Sequence, residues 1–214
     1  MYKKTAKYEP ELMEEYAYVL DFFPQGNPLD KHPEHRRRPI AQVVGEKYFM
    51  LLEVIPRPGV TLTIGERVYI SRGYRDKIAF VYGRISYDDL SSVAKDELVN
   101  VVEKIIRTYE DVYVQFFNIA EPITIRLHAL ELLPGIGKKY MKVILEERRK
   151  RPFTSFKDLI ERTKIPDPVK ALRDRIVSEI MGEEKYYLFV KPPLGKEGVY
   201  LGYLIRMHGM RASR

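Results

Sequence analysis

Between Tyr16 and Tyr87 the apolar positions fall in short runs, YAYVLDF, PIAQVVG, KYFMLLEVI, VTLTI, ERVYIS and KIAFVYGRI, rich in β-branched and aromatic side chains. Gly26, Gly45, Gly59, Gly65, Gly73 and Gly83 interrupt these runs or stand near their ends, which is the punctuation of strands and turns. No helical period separates them, so they predict an antiparallel barrel or sandwich. Five or six strands in about seventy residues make that barrel a small one. The Pro-rich PQGNPLDKHPEHRRRP between the first two runs reads as a long loop.

At Asp88 the period changes. Leu90, Val93, Ala94, Leu98, Val101, Val102, Ile105 and Ile106 recur at three and four residues, the mark of one amphipathic helix bridging two halves of the chain. Asp88 and Asp89 read as its cap. The run VYVQFFNI is ambiguous between strand and helix, and EPIT then supplies stop and start signals for a helix over 124–133. A further helix is predicted from Lys138 to Lys150, another behind an N-cap at Thr154 or Ser155, and a third behind Asp167 with Pro168 in its first turn. KYYLFV at 185–190 predicts a last strand, and MRASR a frayed basic end. The expected fold class is therefore α+β: a small antiparallel barrel over 1–87, a bridging helix and linker over 88–123, a helical region over 124–184, and a strand with basic tail over 185–214.

Composition bounds what this architecture can do. An apolar content of 45% in 214 residues supports a folded core, without the long apolar span of a membrane helix or the leader of a signal peptide, and a cytoplasmic location is expected. The absence of cysteine removes disulfides, thiolate metal sites and cysteine nucleophiles. The net charge is +7, and its position matters more than its size. Residues 126–177 carry 14 basic against 7 acidic side chains, whereas residues 1–125 carry 17 against 19. A patch so localised attracts polyanions.

At the centre of that patch stands LLPGIGKKYMKVILEERRKR, residues 132–151. Two helices joined this tightly need glycine at the turn, with Ile136 free to plug the gap between them. The same turn exposes the first N–H groups of the following helix, where the helix dipole adds positive potential, and this is a seat for a phosphate oxygen. Gly135, Ile136, Gly137 and Lys138 form the proposed grip; Lys139 follows, and Lys142 lies one turn beyond Lys138 on the same side. Arg148 and Arg149 read either as further contacts or as the solvated end of the helix. Arg36, Arg37 and Arg38 on the long loop are a second basic candidate, able to track a backbone.

L-P-G-I-G-K-K…I-L-E-E-R resembles the helix-hairpin-helix motif. RPFTSFKDL resembles the linker between tandem copies, and KIPDPVKALRDRI a degenerate second copy whose hairpin glycines are replaced by Pro166-Asp167-Pro168. Over nearly the whole chain, GERVYI, GRISYDDL, FFNIAEPITIRLHALELLPGIGKK and KYYLFV are similar in order to an archaeal family of uncharacterised proteins that joins an oligonucleotide-binding (OB)-like barrel to a helix-hairpin-helix region. The resemblance implies nucleic-acid binding, RNA in preference to DNA, with the translation machinery as a possible associate.

Competing chemistry is weaker. Some nucleases carry an E-R-K triplet with a spaced aspartate, but here Arg149 interrupts the triplet and Thr154 stands where the aspartate is needed. Metal-assisted hydrolysis requires clustered carboxylates. His32, Glu34 and His35 offer three ligands, yet on a Pro-rich loop they read as solvated sequence, and His128 as a helix-face residue. No enzyme activity, metal or cofactor is expected. Some of Tyr48, Phe49, Tyr69, Tyr74, Phe80 and Tyr82 must face solvent if the strands alternate, where they can stack on bases. The expected function is non-enzymatic nucleic-acid binding; the alternative is an adaptor whose basic face meets an acidic protein.

Overall fold

A computed structural model describes residues 13–28, 33–193 and 195–212 of the chain. Five strands, β1 (Tyr16–Phe23), β2 (Ile40–Gly45), β3 (Leu51–Pro56), β4 (Arg67–Tyr69) and β5 (Ile78–Arg84), form one antiparallel sheet in the order β4-β1-β2-β3-β5. The sheet curls without pairing β4 to β5. The stretch VTLTI is not a strand: positive-φ glycines at 59 and 65 turn the chain at both its ends, and Leu62 is buried while Ile64 is exposed.

Alternation along the inner strands explains why both faces of the sheet are buried. Ala17, Val19, Ala41, Val43, Leu52 and Val54 point into the curl, while Tyr18, Leu20, Val44 and Leu51 belong to a larger core shared with the helices. Helix α1 (Ser92–Thr108) covers that second face with Ala94, Leu98, Val101, Val102, Ile105 and Ile106. Its N-cap is Ser91, whose hydroxyl accepts the Ala94 N–H and donates to Asp21 at 2.6 Å. Asp89 serves instead the preceding 3-10 turn, where it accepts the Ser86 N–H at 2.9 Å. Gln42, fully buried in β2, donates to the Asp89 carbonyl at 2.8 Å and accepts the Ser91 N–H at 2.9 Å, so the helix start is tied to the sheet.

The ambiguous VYVQFFNI is helical, split into α2 (Glu110–Tyr113) and α3 (Gln115–Ile119) with Tyr113, Phe116 and Phe117 fully buried. The helix expected over 124–133 is absent. Instead β6 (Pro122–Thr124) and β7 (Leu127–His128) form a small hairpin with Ile125 exposed at its tip, followed by a 3-10 turn over Ala129–Leu132. Consecutive β-branched residues at 123–125 disfavour helix. His128 caps the 3-10 turn: its Nδ1 accepts the Leu130 N–H at 3.1 Å while Glu131 accepts the His128 N–H at 2.9 Å.

Helices α4 (Lys138–Lys150), α5 (Phe156–Thr163) and α6 (Pro168–Met181) follow the predicted bounds, with Ser155 and Asp167 as N-caps. Tyr186–Tyr187 (β8) pairs parallel with Val199–Tyr200 (β9). The chain then enters α7 (Tyr203–Ala212), so the expected frayed end is helical through Ala212, held by buried Tyr203, Leu204 and Met207.

Candidate nucleic-acid interface

The turn between the 3-10 segment and α4 is anchored from inside. Leu130, Leu133 and Ile136 lie in the main core, Ile136 with only 2% of its surface exposed, and the Ile136 N–H reaches the Leu133 carbonyl at 3.0 Å. Gly135 adopts φ +81°, a conformation that strains any residue with a Cβ. Gly137 is different. Its φ of −84° suits any residue, and a Cβ there would meet nothing within 4 Å. The fold makes no demand for glycine at 137; its bareness leaves the start of α4 open.

Gly137 is the N-cap of α4 and supplies no side-chain acceptor. Its carbonyl accepts the Met141 N–H at 3.0 Å, and the amide N–H groups of Lys138, Lys139 and Tyr140 have no acceptor among the described residues. Lys138, Lys139 and Lys142 are exposed and, among the described residues, no carboxylate pairs with them. Three amide donors, three ammonium groups and the positive end of a 13-residue helix thus converge on one patch of solvent.

The far end of α4 is compensated. Glu147 pairs with Lys150 and with Arg162 at 3.3 Å, and Asp158 pairs with Arg162 at 3.1 Å and Arg151 at 2.9 Å. Beside Lys150 and Arg162, the Glu147 carboxyl is held below its usual range. Arg148 turns inward and donates to the carbonyls of Phe117 and Ala120 at 3.2 and 2.8 Å. Burial, and then Arg149, push its pKa down. Of the two arginines proposed there, only Arg149 remains exposed and without a carboxylate partner among the described residues. Thr154 donates its N–H to Asp158, so the carboxylates around the interrupted triplet serve ion pairs.

This arrangement lies inside a stretch shared with other proteins: residues 13–191 match a family described as a protein of unknown function, DUF655. The chain belongs to the DUF655 family. An uncharacterized protein, MJ0038, of Methanocaldococcus jannaschii is 48% identical over 197 residues, covering 91% of this chain and 87% of the relative. The crystal structure of the DUF655 protein Af1531 from Archaeoglobus fulgidus is 51% identical with a TM-score of 0.75, over 83% of this chain and all of that one.

In this DUF655 chain the second hairpin keeps the inner geometry and loses the open end. Lys164 takes the left-handed conformation at φ +61° and Ile165 is buried to 2% exposure, as Gly135 and Ile136 are arranged in the first. Yet the Asp167 carboxylate accepts the Lys170 N–H at 2.8 Å, occupying the start of α6 with negative charge. The basic loop lies elsewhere: Arg36, Arg37 and Arg38 are exposed at the end of the β1–β2 connection, where bare Gly26 leaves room for the backbone of 36 and 37. Of the His32, Glu34 and His35 trio, His32 and the side chains of Glu34 and His35 lie outside the described part of the structure. Among those described, no group of three His, Asp or Glu is placed to share a metal ion, and no helix is long and apolar enough to cross a membrane.

Proposed function

We propose that this protein is a non-enzymatic, cytoplasmic nucleic-acid-binding protein that grips backbone phosphates at the start of α4, with RNA favoured over DNA. The observation that carries the reading is the contrast between two similar hairpins. The second closes its helix start with its own carboxylate, and the first leaves three amide donors uncapped beside three unpaired lysines. A phosphate is the group that satisfies both the donors and the charge. The positive-φ glycine, plugged isoleucine and following helix support a helix-hairpin-helix identity for residues 129–150. The strand order supports an OB-like sheet left open between β4 and β5, though β5 runs antiparallel to β3, which departs from the closed OB topology.

Fluorescence anisotropy with labelled RNA and DNA oligonucleotides tests the reading. The variant K138E/K139E, its fold checked by circular dichroism, is expected to weaken binding to every sequence by a similar factor. Three or four neutralised phosphates give a log–log salt slope of about −2 to −3 on single strands. Affinity insensitive to salt, or unchanged in the charge-reversed variant, defeats the phosphate grip.

A further inference from the structure

Far from the hairpin in sequence, the free edge of the sheet carries a second group of binding chemistry. Strand β5 ends the order β4-β1-β2-β3-β5 and has no partner on its outer side among the described strands. Edge strands ordinarily hide or charge their side chains to avoid unwanted pairing. This one shows Phe80 at 54% and Tyr82 at 37% exposure, and Tyr74 just before it is 81% exposed. They are the only aromatic residues among the described ones that are exposed to this degree. The register of β5 against β3 shifts twice here, with Arg84 opposite Leu52 and Phe80 opposite Ile55; the Phe80 and Tyr82 rings meet edge to face at 6.4 Å, and the Arg57 guanidinium lies over Tyr74 at 5.1 Å.

Beside the aromatic edge runs a basic groove. A cavity of about 290 Å³ between β3, β5 and the segment after β4 is lined by Arg72, Arg75 and Arg84. A smaller one of about 60 Å³ continues from it past Met50 and Arg84, which line both, to Tyr48, Tyr87 and Lys191. The one carboxylate in the lining, Glu14, is buried and spends both oxygens on the N–H groups of Lys47, Tyr48 and Met50. The guanidinium groups of Arg72, Arg75 and Arg84 have no carboxylate partner among the described residues. Asp76 is the nearby exposed acid in sequence.

Exposed rings on the same strand edge as unpaired arginines suit a ligand with flat apolar faces and a repeating negative charge. We infer that this edge is a stacking platform for single-stranded nucleic acid, the bases lying on Phe80 and Tyr82 while the arginine groove follows the backbone. A duplex keeps its base faces stacked inside and can use only the cations, so the platform selects single strands. The inference rests on the nucleic-acid reading of the hairpin and adds the class of substrate.

The experiment measures affinity of the full chain for labelled oligouridylate, oligothymidylate and a mixed-sequence duplex. The variant F80A/Y82A is expected to lose about tenfold to a hundredfold in single-strand affinity while duplex affinity stays within about twofold, since each lost stack is a substantial part of binding. The ring-preserving swap F80Y/Y82F is expected to bind as wild type, which controls for disturbance of the edge. K138E/K139E is expected to weaken single strand and duplex alike. Wild-type single-strand affinity in F80A/Y82A overturns the platform and leaves the hairpin standing. Loss confined to F80A/Y82A, with K138E/K139E unaffected, supports the platform and removes the hairpin. Competition by polyglutamate as effective as by oligouridylate also overturns it, making the groove a site for acidic polypeptide.

Discussion

Gly135 and Gly137 are separated by one residue and do different work. At Gly135, alanine meets open space but inherits φ +81°, which costs about 1–2 kcal/mol; Gly135→Ala is expected to lower stability by that amount in urea denaturation. At Gly137, φ −84° and ψ −178° are the backbone of an ordinary N-cap. Gly137→Asp therefore reproduces the cap that Asp167 gives α6. It is expected to raise stability by about 0.5–1 kcal/mol while lowering nucleic-acid affinity at least tenfold. A stabilised variant that still binds as wild type would show that the open helix start is not the seat. The sequence alone marked both glycines; which of them the backbone requires was readable only from the dihedral angles.

At the level of elements, strong periodicity survived intact and local ambiguity did not resolve itself. Helices α1, α4, α5 and α6 follow from their apolar spacing and caps, because each such helix needs only one stripe to find the core. The segment 124–133 misled because its stop and start signals suit both a capped helix and a β-hairpin; His128, a capping residue seldom expected, begins the 3-10 turn. The terminal α7 was missed because its anchors Tyr203, Leu204 and Met207 make sense only against the core they meet.

That helix carries a pH prediction. His208 packs edge-on to Tyr48 at 6.2 Å with its Nε2 lacking a partner among the described residues, and burial, then Lys47, push its pKa down to about 4. A depressed folded-state value means the imidazole contributes full stability above its ordinary pKa of 6.5 and loses it as pH falls towards 4. Wild type is expected to lose stability over that window relative to His208→Leu, measured by denaturation at pH 7 and pH 4.5. Parallel curves for the two proteins would show that the imidazole does not titrate against the fold.

Across the whole molecule, one buried ion pair joins the hairpin to the C-terminal segment. Arg175 is bonded to Glu179 at 2.8 Å, to the Leu132 carbonyl at 3.3 Å and to the Tyr186 carbonyl. Glu179 in turn accepts the N–H groups of Leu188, Phe189 and Val190 at 2.7–2.8 Å. Leu132 leads into the turn before α4, and Val190 lines the groove beside the aromatic edge. Arg175→Met strands a buried carboxylate and is expected to cost about 3–5 kcal/mol. Because sheet and helices share the main core, fluorescence and circular dichroism are expected to report one coincident transition; two separated transitions would mean that the halves unfold independently.

What the sequence by itself determined was the α+β division, four of the helices, the strand-rich first half and the basic centre at 126–177, since these rest on local period, capping and charge. Tertiary structure alone decided which charges are bare. Ion pairs engage Lys150, Arg151 and Arg162, Arg148 is spent on backbone carbonyls, and Lys138, Lys139 and Lys142 are left facing solvent at an uncapped helix start. It likewise chose Tyr74, Phe80 and Tyr82 as the exposed rings while burying Phe49. Compensation and exposure are properties of neighbours brought together by folding, and spacing along the chain does not contain them.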